Sequence, residues 1–316
     1  MTNRTVAHVA RNVVALALIL ASHAAHSQLF RAYVGSEGSD ANPCTLALPC
    51  RLLPAALAAV ANGGEIWMLD SANYNTGTVT IGKSVSILAV AGAVGSLVAS
   101  GGPAVTIPTG GLTVALRNIS IGSMPGGAAG STGVQMTGAS QLEIEDCAIA
   151  NLTSVGVYVI GTGMLKMSDC TVRNIGTYAV WIQNGARAVI ASTRMQDSQG
   201  GLMVFTLDAP LLTEATLSDG VISGCDVGVA ASAYTLSSIS RASVARTTID
   251  NVAYPISSET GPDGTAEIDV GGSAIVSGYY PWYFSGPRAK VFSLGDNQIS
   301  GNVAPPVGPT TPLAPQ

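Results

Sequence analysis

The sequence predicts an all-β fold, a right-handed parallel β-helix, because one pattern of side chains recurs about every 25 residues. Two consecutive segments, 133–155 and 156–178, both begin with Gly-Val, carry Asp-Cys in the middle and have Asn followed by an apolar residue near the end. Apolar residues alternate with others inside each segment, which is typical of β-strands. Short units of this kind form solenoids in which successive turns of the chain, or rungs, stack on one another.

Further copies follow when Cys147 is used as a reference position. The spacings between equivalent positions are 23, 23, 27, 27, 26 and 24 residues. An apolar residue lies three residues before and two residues after each of them. The reference positions are Cys147, Cys170, Thr193, Gly220, Thr247, Ser273 and Asn297.

A turn residue lies four residues after every reference position. These residues are of types that tolerate a left-handed backbone or bond to their own backbone in turns, so one sharp turn per rung is expected. The turn positions are Asn151, Asn174, Asp197, Gly224, Asn251, Ser277 and Gly301.

Two other folds fit the pattern less well. Leucine-rich repeats have units of similar length, but their Leu-x-x-Leu-x-Leu frame is missing. A sandwich of evenly spaced strands does not require equivalent residues at each period. Since parallel crossovers are almost always right-handed, we expect about nine to ten right-handed rungs in residues 65–302.

The two ends of the chain have different compositions. Arg4 and Arg11 precede an apolar run at 13–21 and then small residues, a pattern typical of a signal peptide over 1–27, cleaved after Ala24 or Ser27. The apolar run is too short to span a bilayer, so we expect a secreted protein, periplasmic or extracellular, with no membrane span after cleavage. At the other end, the Pro-rich residues 303–316 predict a disordered tail.

Removal of the signal peptide changes the chemistry that remains. His8, His23 and His26 are the only histidines, so cleavage after Ser27 leaves no imidazole for a catalytic triad, a general base or a metal site. Loss of two arginines leaves 14 − 2 = 12 basic residues against 19 acidic ones, a net charge of −7. An acidic exported chain is a poor candidate for nucleic-acid binding.

Residues 28–64 are expected to close the first rung. A short helix over 51–61, with Pro54 in its first turn, would place its apolar face on the open end of the solenoid. An uncovered end would expose core side chains and strand edges.

The same region carries a resemblance to a known group. The stretch "PCRLLPAALAAVANGGEIWMLDSANYNTGTVTIGKSVSILAV", with a turn at 73–75, resembles the start of right-handed β-helix proteins of the pectate-lyase-like (pectin lyase-like) superfamily. This resemblance covers about residues 30–302 and implies the fold far more specifically than an activity. The segment "DANPC…PCR" at 40–51 also resembles a bacterial exported subset of that superfamily and implies a disulfide between Cys44 and Cys50.

The superfamily's catalytic motifs are missing. The Gly-His-Gly and Arg-Ile-Lys segments of polygalacturonases do not occur, nor do the Asp-His and Arg-x-Pro-x-x-Arg segments of pectate lyases. The group of acidic residues that is most similar to a lyase site consists of Glu143, Glu145, Asp146 and Asp169. A lyase could use these two aspartates as calcium ligands and Lys166 or Arg173 as base. The sequence therefore favours a protein that is not an enzyme and has no cofactor, with a calcium-dependent lyase as the alternative.

Two further sets of residues favour structural roles. A column six residues before the reference positions alternates in charge and predicts a ladder of ion pairs: Arg187, Glu214, Arg241 and Glu267. Cys147 and Cys170 are expected to stack as small core residues about 4.8 Å apart, and a disulfide between them is disfavoured because Cβ atoms in a bridge lie about 3.8 Å apart. Cys225 is expected to be a buried free thiol.

One outward column could bind a ligand. Its neighbours, such as Val157 and Val159 or Met203 and Phe205, are expected to face the core, so side-chain alternation places the column on the surface. Adjacent Tyr and Trp rings there could stack on a sugar or contact a partner protein, unless a loop covers them. The column is Gln135, Tyr158, Trp181 and Val204. We therefore expect a binding or structural module that contacts polysaccharide or another cell-surface component, or a scaffold for protein partners, rather than a carbohydrate-active enzyme.

Overall fold

The computed structural model describes residues 28–124, 126–208, 210–308 and 311–312. The signal peptide predicted for 1–27 lies outside these residues. Within the described residues, no helix is long and apolar enough to cross a membrane.

The chain forms a right-handed parallel β-helix of about nine turns, as the sequence predicts. Each full rung contributes one strand to each of three sheets in the order A, B, C, and neighbouring rungs pair in parallel. Because every strand finds its partners one rung away, the backbone hydrogen bonds are satisfied between rungs.

The strands alternate among the three sheets. Sheet A contains β1 Leu29–Val34, β2 Val60–Met68, β5 Val85–Ala89, β8 Thr113–Arg117, β11 Gln141–Glu145, β14 Met164–Ser168, β17 Arg187–Ala191, β20 Leu212–Ser218, β23 Ile239–Ala245, β26 Thr265–Gly271, β29 Ala289–Ser293 and β31 Thr311–Pro312. Sheet B contains β3 Ala72–Asn73, β6 Gly95–Ala99, β9 Ile119–Ser123, β12 Ala148–Leu152, β15 Thr171–Ile175, β18 Arg194–Gln196, β21 Val221–Ser223, β24 Thr248–Asp250, β27 Ala274–Val276 and β30 Gln298–Ser300. Sheet C contains β4 Val79–Thr80, β7 Val105–Ile107, β10 Thr132–Met136, β13 Val155–Ile160, β16 Tyr178–Gln183, β19 Gly200–Thr206, β22 Val227–Ala233, β25 Tyr254–Thr260 and β28 Tyr283–Ser285.

The core consists of columns of apolar side chains that run along the axis. One column on sheet B keeps six inward residues in register, each no more than 1% exposed. Removing such stacked side chains from water is the main contribution to stability. The column is Ile149, Val172, Met195, Ile222, Ile249 and Ile275.

The cysteines confirm the predicted register. Cys147 and Cys170 are buried on successive rungs, and the backbone N–H of Thr171 donates to the carbonyl of Cys147 at 3.0 Å. The backbone N–H of Cys147 also lies 3.5 Å from Sγ of Cys170. Both cysteines, and the buried Cys225, are free thiols.

Each regular rung contains two residues with a left-handed backbone. All seven turn positions predicted from the sequence have φ between 50° and 70°, which confirms one sharp turn per rung between sheets B and C. A second column of positive φ, which was not predicted from the sequence, precedes the reference positions, between sheets A and B. Its members are Asp146, Asp169, Ser192, Asp219, Arg246 and Gly272.

The N-terminal end is closed by a helix and an extra strand. Helix α1, Leu53–Ala59, is shorter than the predicted 51–61 and buries three apolar residues, among them Leu53 and Leu57. The carboxylate of Asp40 accepts hydrogen bonds from the backbone N–H groups just before the helix, at 2.9 and 2.7 Å. Strand β1, which the repeat pattern does not predict, pairs with β2 and extends sheet A across the cap.

A disulfide bond and a network of hydrogen bonds stabilise this cap. Cys44 and Cys50 form the disulfide that the resemblance implies. The carboxylate of Asp70 accepts hydrogen bonds from the Ser36 backbone at 3.0 Å and from the Ser36 hydroxyl at 2.7 Å. The buried Tyr74 hydroxyl donates to the same carboxylate and lies 2.8 Å from the Asp70 carbonyl. This network joins the segment before the helix to the first rung.

Part of the C-terminal segment predicted as a tail, 303–316, lies within the described residues. The backbone N–H groups of Val303, Ala304 and Val307 donate to carbonyls of residues 278, 279 and 282, at 2.8–3.2 Å. Strand β31 pairs with β29 at the end of sheet A.

Candidate functional site

The outer face of sheet C carries the predicted ligand-binding column, with one correction. Gln135, Tyr158 and Trp181 are in register on adjacent strands, but the next member is Met203. Val204, predicted to face outward, is fully buried and pairs with Ile182.

The cause of this error is a change in rung length. The step from Tyr158 to Trp181 is 23 residues, whereas the step from Trp181 to Met203 is 22. Since side chains alternate between the two faces of a strand, a slip of one residue exchanges them. Met203 and Phe205, predicted to face the core, therefore lie on the outer face.

The correction enlarges the aromatic surface. Trp181 makes edge contacts with three rings, at centroid distances of 5.9 Å to Tyr158, 5.6 Å to Tyr178 and 6.3 Å to Phe205. Phe205 in turn contacts Tyr234 at 6.0 Å. These five residues form the aromatic row. Their planes are steeply inclined, 65° between Tyr158 and Trp181, so the pair does not form one flat platform. Edge contacts of this kind stabilise the rings against one another.

The row is partly open to solvent and has polar groups along it. Tyr234 is 43% exposed, and the other four rings are half-buried. The Tyr158 hydroxyl donates to Oε1 of Gln183 at 2.7 Å, and the Tyr234 hydroxyl donates to Oε2 of Glu259 at 3.2 Å. Burial, and then the negative charge of Glu259, raises the pKa of Tyr178 to about 12. Its hydroxyl is therefore neutral near pH 7.

A second aromatic set lies towards the C-terminal end of the same sheet. Tyr254 lies 6.0 Å from Tyr280 and 5.6 Å from Tyr283, and Tyr279 lies 4.7 Å from Tyr280. These four residues form the tyrosine cluster. Tyr283 belongs to the same outward column as Trp181, because Met203, Ala230, Ser257 and Tyr283 pair in succession. Sequence reasoning missed the cluster because two of its members lie in the connection between β27 and β28.

The candidate lyase residues occupy the outer faces of sheets A and B and the turns between these sheets. Asp146 and Asp169 occupy successive turns between sheets A and B, both with positive φ. Lys166 is on the outer face of sheet A opposite Glu143, and Arg173 is on the outer face of sheet B. The side chains of the two candidate bases therefore extend from the outer faces of two different sheets.

The acidic group near these residues already has a cationic partner. Arg117 forms ion pairs with Glu143 at 3.0 Å and with Glu145 at 2.8 Å. The hydrogen bond to Glu145 raises the pKa of Arg117, so the guanidinium stays charged. In the part of the chain that the structure describes, no group of three or more His, Cys, Asp or Glu residues is placed to hold a metal ion.

The alternating column on sheet A is an ion-pair ladder, as predicted. Arg187 pairs with Glu214 at 3.5 Å and Arg241 with Glu267 at 2.9 Å, and Lys290 extends the ladder to the next rung. Apart from Glu267, whose side chain is 18% exposed, the paired side chains are 36–60% exposed, so each pair adds little stability.

A groove of about 630 Å³ runs along the turns between sheets C and A. Arg187 is the one charged residue among those that line it. Because its lining contains no aromatic ring, the groove is a weaker candidate for ligand binding than the outer face of sheet C.

Comparison with known proteins agrees with the fold. A protein-family model described as a right-handed β-helix region matches residues 132–277 of the sequence. The pectate lyase Pel9A superposes with a TM-score of 0.56 at 14% identity, covering 89% of this chain and 78% of that one. A complex of XylC with xylose also gives a TM-score of 0.56, at 8% identity, covering 81% of this chain and 70% of that one. No curated protein matches in sequence. The chain thus has a right-handed parallel β-helix fold, similar to the folds of these two structures.

Proposed function

We propose that this protein is a non-catalytic β-helix module that binds polysaccharide on the outer face of sheet C. The observation that carries the proposal is the aromatic row, a contiguous and partly exposed set of rings on a rigid sheet. Exposed aromatic groups of this size mark interaction sites more often than isolated apolar residues do.

The row suits a sugar chain better than a flat apolar partner. Its rings are inclined to one another, so each offers a separate edge or face and separate stacking contacts along the axis. Hydroxyl and amide groups lie between the rings, as Tyr158 and Gln183 show. Such a mixture of apolar surface and hydrogen-bonding groups matches the apolar faces and hydroxyl edges of sugars.

The similar structures support a carbohydrate ligand. One is a pectate lyase and another is a complex with xylose. Because one fold hosts many activities, these likenesses support the ligand class and leave catalysis to be tested.

We also propose that the protein is exported. The Cys44–Cys50 disulfide supports this, since such bonds persist in oxidising compartments. The signal pattern in residues 1–27 agrees with export.

The proposal can be tested by removing rings from the row. Tyr158→Ala with Trp181→Ala should weaken retention of the protein in polysaccharide-containing native gels. At about 1 kcal/mol for each ring, the loss corresponds to roughly 30-fold in affinity. Trp181 packs against three rings, so the double variant should also lose stability. Tyr234→Ala, at the exposed end of the row, is the milder companion variant and should weaken binding with little change in melting temperature.

The control is Val189→Ala, which removes an apolar side chain that is 49% exposed on sheet A. It should leave retention unchanged. Full binding by both row variants would contradict the proposal. Calcium-dependent release of unsaturated products, abolished by Asp169→Asn, would instead support the lyase alternative.

A further inference from the structure

Sheet C differs from the other two sheets in charge. Its nine strands contain a single Asp, Glu, Lys or Arg residue, Glu259. Sheet A carries the ion-pair ladder, and the strands of sheet B include Arg173, Arg194 and Asp250. The face that carries the aromatic row is therefore almost uncharged, although the protein as a whole is acidic.

The one charge on this face is negative and has no cationic partner among the described residues. Its carboxylate accepts hydrogen bonds from the hydroxyls of Tyr234 and Ser257, both at 3.2 Å. No described Lys or Arg nitrogen lies within 4.0 Å of it in an ion pair. Burial and this carboxylate raise the pKa of Tyr234 as well as that of Tyr178. The negative potential of Glu259 thus extends over the adjoining part of the row.

This distribution decides between two classes of polysaccharide. A polyuronate carries a carboxylate on every sugar, and proteins recognise carboxylates with Arg or Lys, which form strong charge-assisted hydrogen bonds. The strands of sheet C contain no such residue, and Glu259 would repel the polymer. An uncharged polysaccharide needs only stacking surfaces and neutral hydrogen-bonding groups, both of which are present.

The outward column also sets the direction of the ligand. Five rung steps separate Tyr158 from Tyr283, or about 24 Å at about 4.8 Å per step. The small residues Ala230 and Ser257 lie between the aromatic row and the tyrosine cluster, and each is only 3% exposed, so the rings at the two ends form the main contact surface of the column. A linear chain that follows this column contacts rings near both ends.

We infer that the ligand is an uncharged polysaccharide whose extended chain lies along the helix axis across sheet C, from Tyr158 to Tyr283. This inference rests on the proposed function and specifies its ligand class and orientation. It also distinguishes this face from one built to hold an acidic polymer.

The first test compares ligand classes by affinity electrophoresis and calorimetry. Neutral xylan and glucomannan should bind, whereas polygalacturonate and alginate should bind at least tenfold more weakly at low salt. Glu259→Lys should create polygalacturonate binding that disappears as salt is raised. The matched control is Asp250→Lys, which makes the same change of charge on sheet B between the uncharged Ser223 and Val276 and should create none.

The second test addresses orientation. Affinity for neutral oligosaccharides should rise with chain length until the chain reaches the tyrosine cluster. Tyr283→Ala should weaken long chains severalfold and leave the shortest ones unaffected. Length-independent affinity, or an equal effect of Tyr283→Ala on short and long chains, would overturn the orientation.

The outcomes separate this inference from the proposed function. If polygalacturonate binds tightly and the Tyr158→Ala, Trp181→Ala variant loses this binding, the proposed binding face is supported and the uncharged ligand class is overturned. Failure of every polysaccharide to bind, with capture of a protein through the same face, would overturn both.

Discussion

The hydroxyl of Tyr74 should contribute a pH-dependent part of the stability of the N-terminal cap. The hydroxyl is buried and donates to the Asp70 carboxylate, which also binds Ser36. Tyr74→Phe removes one oxygen and keeps the ring. A hydrogen bond to a charged group contributes about 1.5–3 kcal/mol, so we expect the free energy of unfolding to fall by about 2 kcal/mol at pH 7.

The pH dependence follows from the pKa of Asp70. Burial alone would raise this pKa, but the hydrogen bonds from Tyr74 and Ser36 outweigh it and hold the pKa below its ordinary value. A carboxyl group with a lowered folded-state pKa contributes stability above its unfolded pKa of about 4. This contribution is lost as the pH falls through the folded-state value. The difference between Tyr74→Phe and the parent should therefore be greatest at neutral pH and should shrink below about pH 4.

The three tryptophans allow the cap to be observed separately. Trp67 lies on β2 beside the cap, with the Arg31 guanidinium 3.9 Å from its ring centre. With Trp181 and Trp282 changed to Phe, urea unfolding followed by tryptophan fluorescence reports on this end alone. The control is Tyr279→Phe, a 47% exposed tyrosine near the other end, which should change nothing. A loss of equal size at pH 3 and pH 7, or a loss below about 0.5 kcal/mol at pH 7, would refute the reasoning.

Three further substitutions test other features. Replacing Cys44 and Cys50 by Ser removes a disulfide between residues six apart, so urea unfolding should show about 2 kcal/mol less stability. Unchanged stability of the parent protein after reduction of its disulfide would contradict this. Asn151→Ala should cost about 1 kcal/mol, since Asn151 has φ of 61°; calorimetry should show a smaller loss for Asn151→Gly. Trp181→Phe removes a buried indole N–H with no partner among the described residues, so the melting temperature should stay the same or rise. A clear fall would show that the lost contacts with the three neighbouring rings outweigh the unpaired N–H.

The sequence predicted the rungs well because their register depends on residue types that recur in columns. The stacked Cys147 and Cys170 and the left-handed turn at Asn151 were both accessible in this way. The second left-handed column was missed because it includes Arg246, a residue type that rarely signals positive φ. Strand β1 lies before the first repeat, so no period could reveal it.

The candidate site was predicted only in part, because it depends on where rung length changes. A constant spacing placed Val204 outside and Phe205 inside, and the structure exchanges them. The aromatic row therefore gained Phe205 and its neighbour Tyr234, which no single rung could indicate. Similarly, Arg117 lies before the first segment of the predicted repeat, 133–155, so its ion pairs with Glu143 and Glu145 were not foreseen.

The close similarity of segments 133–155 and 156–178 has a consequence for how such a chain can evolve. Each rung contacts only its neighbours, so duplication of one whole unit preserves every column, whereas an insertion of any other length must be accommodated in a turn. A copy of 156–178 would bring its own inward apolar pair, its left-handed turns and a further surface tyrosine equivalent to Tyr158. A single genetic event would therefore lengthen the molecule and its aromatic face together, without redesign of either.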